Sequence, residues 1–312
     1  MPAYSALRES AAWLDVSARG KIRVLGEDRQ GFLHAISTQA IEDLPPGQGV
    51  YAYFLNVQGR IQTDAYLWVF PSHVLIETEP ETAQGLVRHL EKYIIMDDVV
   101  LEDTTAALAA LALEGPGAEE IATRLFRDPP LENHAHREVD GVTILRASLT
   151  GEPGFRFLTE AGRAKALAEK LAKAGAVEAA AADFRTVRVE NQVPRFGEDF
   201  FDTTIPHETQ RLDAVSFTKG CYLGQEIVER VRSRGQVNRL LAGVEVETDT
   251  APPGGSVILF KDREAGRLTS PVFSPRLGRV AGFGLLRREA ADPGAAIIVE
   301  GQPGRVRERD KV

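Results

Sequence analysis

A change of local pattern near Gly235 constrains this 312-residue chain more than any other feature of its sequence. From about Val237 onward every apolar run is short and strand-like: LLAGVEVE, SVILF, REAGRLTS, RVAGFGLLRR and AAIIVEG, broken by PPGG, SPRLG and DPG. Strands so closely spaced, with turn residues between them and no helical period, form a small antiparallel barrel or a sandwich. What precedes the switch is different in kind, so the chain divides there.

In the first third, strand and helix signals alternate. KIRVLG (21–26) reads as a strand, and Asp28 is placed to cap a helix carrying Phe32, Leu33 and Ile36 at helical spacing. LPPGQG (44–49) is a turn, and VYAYFLN and RIQTDAYLWVF, joined by VQG, form a hairpin. HVLIET follows as a strand, Pro80 opens a helix through Leu86, Leu90 and Tyr93, and DDVVLED returns as a strand. From Ala106 the alternation recurs, with AALAALAL, GVTILRAS and FRFLTE as strands and PGAEEIATRLF and RAKALAEKLAKAG as helices, Gly175 stopping the second. The Ala-rich VEAAAAD is assigned to helix on propensity. Interleaved elements with short connections give a layered α+β or α/β body ahead of the β module.

Composition excludes classes of function without selecting one. Thirty-seven basic against 45 acidic residues give a net charge of -8, which argues against a general nucleic-acid coat while leaving room for a local basic patch. A single cysteine excludes an internal disulfide framework and any site built from several cysteines of this chain, and fits a reducing compartment. The opening MPAYSALRESAAWLD lacks the apolar segment of a signal peptide, and AALAALAL is far short of the roughly 20 residues of a membrane span. The expectation is a cytoplasmic protein with no membrane association.

Three stretches carry chemistry. In 217-FTKGCYLGQEIVERV-231 the lone thiol, Cys221, stands on a glycine-flanked bend leading into a helix, with Lys219 two residues away. A helix N-terminus and a nearby cation favour a thiolate, whereas a small buried hydrophobe filling a gap is the plainer alternative. In the hairpin, alternation puts Ile61, Thr63, Ala65 and Leu67 on one face and Gln62, Asp64, Tyr66 and Trp68 on the other. Asp64 is thus either a surface charge or an acceptor in a ring-lined pocket. In RVENQVPRFGEDF, Glu190 is either a charge at a helix end or a buried ligand-facing acid. Arg230, Arg232, Arg234 and Arg239 form a basic cluster suited to an anionic tail or to a solvated linker. The pair His134 and His136 has no further Cys or His at ligand spacing, and no metal site is assigned.

Together, KGCYLGQE, LNVQGRIQTD and RVENQVPRFGEDF resemble the YgfZ family, folate-binding relatives of the aminomethyltransferase (T-protein) of the glycine cleavage system. The resemblance implies a three-part, cloverleaf-like α+β fold with ferredoxin-like parts and a C-terminal antiparallel β-barrel. It divides the chain into 1–105 plus 184–235 (folate-binding), 106–183 (ferredoxin-like) and 236–312 (barrel). It implies tetrahydrofolate or a one-carbon derivative as cofactor. Tyr51 would be the ring wall, Asp64, thirteen residues on, would lie near the one-carbon centre, and Glu190 would accept from the pterin edge, with Arg230 near the glutamate tail. The motif Lys219, Gly220, Cys221, Tyr222, Gly224, Gln225 and Glu226 implies the accessory branch, which serves iron–sulfur proteins or their assembly factors through Cys221. Two other readings stand beside it: a folate-dependent aminomethyl or one-carbon transferase acting through Asp64, and an RNA-binding, tRNA-modification-associated module built on the Arg cluster and the terminal barrel.

Overall fold

The computed structural model describes residues 2–235 and 237–309. The chain opens with α1 (Pro2–Glu9) and β1 (Ala12–Asp15). The first sheet follows: β2 (Gly20–Leu25), α2 (Arg29–Ile36), β3 (Gly49–Leu55), β4 (Ile61–Val69), β5 (Val74–Thr78), α3 (Ala83–Glu91) and β6 (Val100–Asp103), with strand order β3-β4-β5-β2-β6, every pairing antiparallel. The 3.6-residue spacing of Phe32, Leu33 and Ile36 on α2, and of Leu86 and Leu90 on α3, turns both helices onto one face, where they bury Ile22, Phe54, Ala65, Leu67 and Ile76. Two helix starts depart from expectation. Asp28 precedes α2, but its carboxylate accepts from the Asp98 backbone N–H at 2.8 Å instead of capping its own helix. Helix α3 begins at Ala83 and not at Pro80, because Glu79 is drawn into ion pairs with Arg19 and Arg195 and the Thr82 hydroxyl donates back to the Glu79 carbonyl.

The second sheet comprises β7 (Leu108–Glu114), α4 (Ala118–Phe126), β8 (His136–Val139), β9 (Val142–Leu145), β10 (Gly154–Glu160), α5 (Ala164–Lys173) and β11 (Val177–Glu178), in the order β11-β1-β7-β10-β9-β8. Here β1, grouped with the first unit on sequence, is hydrogen-bonded antiparallel to β7 and parallel to β11, and Trp13 packs with Leu113 and Phe155. The same pairing overrides the helical propensity of VEAAAAD: Val177 and Ala179 donate to the carbonyls of Ala11 and Trp13, and helix α6 (Ala181–Glu190) starts only afterwards. His136 lies within β8 and its Nε2 sits 2.9 Å from the Val69 carbonyl, tying the second sheet to the first.

Two further helices, α7 (Pro206–Thr209) and α8 (Gln225–Arg234), lead to the terminal module. Its strands β12 (Arg239–Val246), β13 (Val257–Phe260), β14 (Arg263–Ser274), β15 (Arg279–Arg287), β16 (Ala296–Val299) and β17 (Gln302–Val306) close as β12-β15-β14-β13-β16-β17, with β17 pairing back onto β12. Closure, which the turn spacing left open between barrel and sandwich, leaves no free edge. It also demands close approach: a Cβ on Gly304 would lie 2.4 Å from the Glu245 carbonyl oxygen. Leu241, Val272 and Phe283 of the barrel share one buried cluster with Tyr53, Val189, Phe200 and Val228, so barrel, α6, α8 and the first sheet pack as one body. Among the described residues no helix is long and apolar enough to cross a membrane.

Candidate functional site

Strand β4 decides where the site lies. Its residues Ala65 and Leu67 enter the core of the first unit, while the opposite face, carrying Asp64, Tyr66 and Trp68, meets the second sheet, where Trp68 is fully buried beside Leu145 and Leu158. The alternation was legible; the cover over its polar face was not. At the Asp64 end the two sheets separate and leave a cavity of about 410 Å³, lined by Tyr51, Asp64 and Tyr66, the β1–β2 connection, Ser148–Leu149, α6 and the Pro194–Glu198 segment. That volume lies within the usual range for a small-molecule site.

Asp64 is only 8% exposed. Its Oδ2 accepts from the Tyr51 hydroxyl at 2.6 Å, and Oδ1 has no hydrogen-bond partner among the described residues. Burial and the neighbouring Glu79 push the Asp64 carboxyl above its ordinary range, against the opposing pull of Arg19 and Arg211. Burial and the adjacent Asp64 likewise raise the Tyr51 phenol, so it remains a donor. The Arg211 guanidinium lies 4.6 Å from the Tyr51 ring centroid and pairs with Asp213 at 2.9 Å.

The guanidinium groups of the cavity are already matched. Arg19 binds Glu77 at 2.8 Å and also Glu79; Arg195 binds Glu79 and Glu81, both at 2.8 Å. Against burial, Arg19 and Arg195 together hold the Glu79 carboxyl below its ordinary value. Arg185 pairs with Glu198 at 2.6 Å, and Arg188 with Asp199 at 2.7 Å and with Glu198. Asp64, by contrast, has a phenol and no guanidinium as its hydrogen-bond partner. Sequence reading placed Tyr66 on the Asp64 face and passed over Arg19, Glu79, Glu198 and Arg211 as site residues. RFGEDF hinted at Glu198, but nothing local marks the others, which converge only through the packing of separate elements.

Glu190 is not where the resemblance puts it. It ends α6 fully enclosed, yet it does not line the cavity. Its carboxylate accepts from the Tyr4 hydroxyl at 2.8 and 3.0 Å, from Arg8 through Nε at 3.1 Å and through a second nitrogen, and from the Ser274 hydroxyl. Arg8 also reaches Glu152 and Asn191. Glu190 therefore joins α1, α6, the second unit and the barrel, and its acceptor positions are taken by the protein itself.

The KGCYLGQE bend is likewise outside the cavity. Lys219 is engaged by the protein itself: its Nζ donates to the carbonyls of His34, Ser37 and Gln39 at the C-terminus of α2, and burial lowers its ammonium to about 7. Tyr222 is buried, Leu223 N–H donates to the Ala35 carbonyl at 3.0 Å, and Gly224 (φ 80°) precedes α8 where a Cβ would meet the Asn56 carbonyl oxygen at 2.6 Å. Gln225 and Glu226 form the first turn of α8. Cys221 itself is free and exposed, three residues ahead of Gly224, so the gap-filling alternative is excluded.

The arginine cluster is dispersed among acids. Arg230, expected near a ligand tail, pairs with Glu226 on the surface of α8 and does not line the cavity; Arg232 pairs with Glu229, and Arg239 with Glu208. The side chain of Arg234 lies outside the described residues. No cluster of metal-ligating side chains occurs among the described residues, and His134 packs edge-on against Tyr66.

Residues 3–219 match the GCVT N-terminal domain and residues 239–309 the glycine cleavage T-protein C-terminal barrel domain. A chloroplastic protein of Arabidopsis thaliana, named provisionally as a transferase, is 28% identical over 95% of this chain and 70% of its own length. An aminomethyltransferase of Geobacillus kaustophilus is 29% identical over 95% of this chain and 85% of its own. The crystal structure of the glycine cleavage system aminomethyltransferase T from Bartonella henselae superposes with a TM-score of 0.90 at 23% identity, covering 98% of this chain and 88% of that one, and shows the shared fold. The closed barrel, the two sheets ahead of it and the matched segments agree: the chain belongs to the glycine cleavage T-protein (GCVT) family.

Proposed function

We propose that the cavity binds a tetrahydrofolate derivative and that the protein acts as a folate-dependent accessory to iron–sulfur proteins, presenting Cys221 to a partner. The observation that carries folate binding is Asp64, a buried carboxylate with one oxygen held by Tyr51 and the other left to a ligand. The residues present fit a reduced folate: the rings of Tyr51 and Tyr66 line the wall, 5.1 Å apart, and suit a flat heterocycle, while Asp64 Oδ1 suits an N–H donor or a developing cation. When bound, such a derivative supplies the one-carbon unit. Tyr51 orients Asp64, and Asp64 holds or releases a proton at Oδ1. No cavity guanidinium lacks a carboxylate partner, so tail recognition runs through shared ion pairs instead of free cations.

Support for the accessory role comes from the construction of the bend. Lys219, Tyr222, Leu223 and Gly224 are each anchored, while Cys221 between them is a free, exposed thiol. An exposed thiol held on a fixed bend suits exchange with a thiol or persulfide of a partner. Calorimetry with 5-formyl-tetrahydrofolate on wild type and Asp64→Asn tests the cavity. Activity of iron–sulfur enzymes in cells carrying Cys221→Ala tests the bend, and undiminished activity removes the accessory role.

The arrangement of Asp64 also favours a second reading, a one-carbon transferase of the aminomethyl type. Its mark is turnover of methylene-tetrahydrofolate with an amine donor, abolished by Asp64→Asn and indifferent to Cys221→Ala. The RNA-binding reading draws less support, since Arg230, Arg232 and Arg239 each have an acidic partner.

A further inference from the structure

The two edges of the first sheet end differently. Strand β3 is met by bridges from Ser37 to Phe54 and from Gln48 to Ala135, whereas β6 pairs with β2 and has no strand on its outer side among the described residues. The Thr104 N–H donates to the Lys21 carbonyl at 2.8 Å, which fixes the alternation along this antiparallel pair. The backbone groups of Val100 and Glu102 therefore turn toward β2, and those of Leu101 and Asp103 turn outward. An edge left open in this way is a template for a further strand.

The side chains beside it are those of a contact surface. Ile95 and Met96, in the turn after α3, are 84% and 93% exposed, the highest values for large apolar side chains among the described residues, and Val100 at the start of β6 is 53% exposed. Around them Asp97, Asp98, Glu102 and Asp103 are all exposed, and residues 93–103 contain no Lys or Arg. Among the described residues the one cation ion-paired with any of these acids is Arg23, 3.9 Å from Glu102. Pairing with a second copy of the chain would set the acids against their own kind, which is destabilising across strands. A basic partner meets the opposite situation.

We propose that the β6 edge, with Ile95, Met96 and Val100, docks an extended segment of another protein in which apolar residues alternate with Lys or Arg. The segment adds a strand through the outward N–H and C=O groups of Leu101 and Asp103; its apolar side chains cover the exposed apolar residues and its cations face the acids. This surface is distinct from both parts of the function proposed above. None of residues 93–103 lines the cavity. The Asp98 carbonyl accepts from Asp28 ahead of α2, whereas Leu223 of the Cys221 bend bonds to Ala35 in the last turn of that helix, so edge and bend lie at its opposite ends.

The probe is a short peptide of alternating Lys and Val, with a Glu–Val peptide and a Lys–Val peptide interrupted by proline as controls. Binding is read by fluorescence anisotropy and its location by hydrogen exchange. The Lys–Val peptide is expected to bind about ten-fold tighter than either control and to slow exchange at Leu101 and Asp103. Asp103→Pro removes an outward N–H without touching the β2 ladder and should abolish binding, whereas Asp103→Asn, which keeps that N–H, should weaken it only about three-fold. Ile95→Ser combined with Met96→Ser should weaken it about ten-fold, and this pair of exposed substitutions decides the matter should Asp103→Pro not fold. Equal binding of the proline-interrupted peptide, protection elsewhere in the chain, or no binding of the Lys–Val peptide overturns the proposal. So does a dimer, seen by light scattering, that Asp103→Pro dissolves, because it assigns the edge to a second copy.

Discussion

Replacing Glu190 separates a ligand contact from an internal clamp. In Glu190→Ala, Tyr4, Arg8 and Ser274 lose their shared acceptor at a junction where Glu190 has no exposed side-chain surface and Arg8 only 14%. Removing one partner of a buried ion pair costs about 3–5 kcal/mol. Arg8 keeps Glu152 and Asn191, which places the loss near the lower figure, about 3 kcal/mol. At roughly 2 °C per kcal/mol for a chain of this size, Tm falls by about 6 °C. Calorimetric unfolding should show the fall, with loosening of the barrel against α1 and α6. Calorimetry with 5-formyl-tetrahydrofolate at a temperature where the variant is folded should show affinity within about three-fold of wild type, since the carboxylate does not face the cavity. An unchanged Tm accompanied by lost folate binding refutes the clamp and restores Glu190 as a ligand contact.

Further outcomes follow from the same geometry. The Asp64 carboxyl titrates above its ordinary value, so burying its anion costs stability that is recovered as pH falls through the raised pKa; Asp64→Asn should therefore raise Tm near neutral pH by a few degrees, measured by calorimetry, while weakening the ligand. Lys219 is lowered from 10.5 to about 7, so the unfolded chain binds the extra proton between those values and wild type gains stability as pH rises across that window; Lys219→Met should lack this slope in pH-dependent melting. Gly224→Ala forces a side chain into positive φ and against the Asn56 carbonyl, and should cost about 2 kcal/mol or more by denaturant titration. Cys221→Ser, at an exposed position, should leave the denaturation midpoint within about 0.5 kcal/mol of wild type.

The motifs proved more legible than their surroundings. Period-two alternation correctly separated Asp64 and Tyr66 from Ala65 and Leu67, because strand geometry is local. Whether the Asp64 face met water depended on a second sheet whose strands, apart from β1 near the start of the chain, lie more than forty residues further on, and no local rule reports that. The same limit explains β1 and β11: each is too short to announce itself, β1 exists because β7 and β11 supply backbone partners on its two sides, and β11 exists because β1 does. Glu190 marks the opposite failure. Its motif was recognised, but its neighbours Tyr4, Arg8 and Ser274 come from the two far ends of the chain.

By itself the sequence determined the change from mixed to all-β pattern near Gly235, the helical and strand periods on either side, and the placing of one thiol on a glycine-bounded bend. Those are consequences of side-chain spacing and backbone freedom over a few residues. Only the tertiary structure decided that the terminal strands close on themselves, that Asp64 is buried with a free oxygen, and that Glu190 is spent on the protein's own cation. The physical reason is common to all three: desolvation, charge pairing and edge closure depend on which distant segments arrive at the same place.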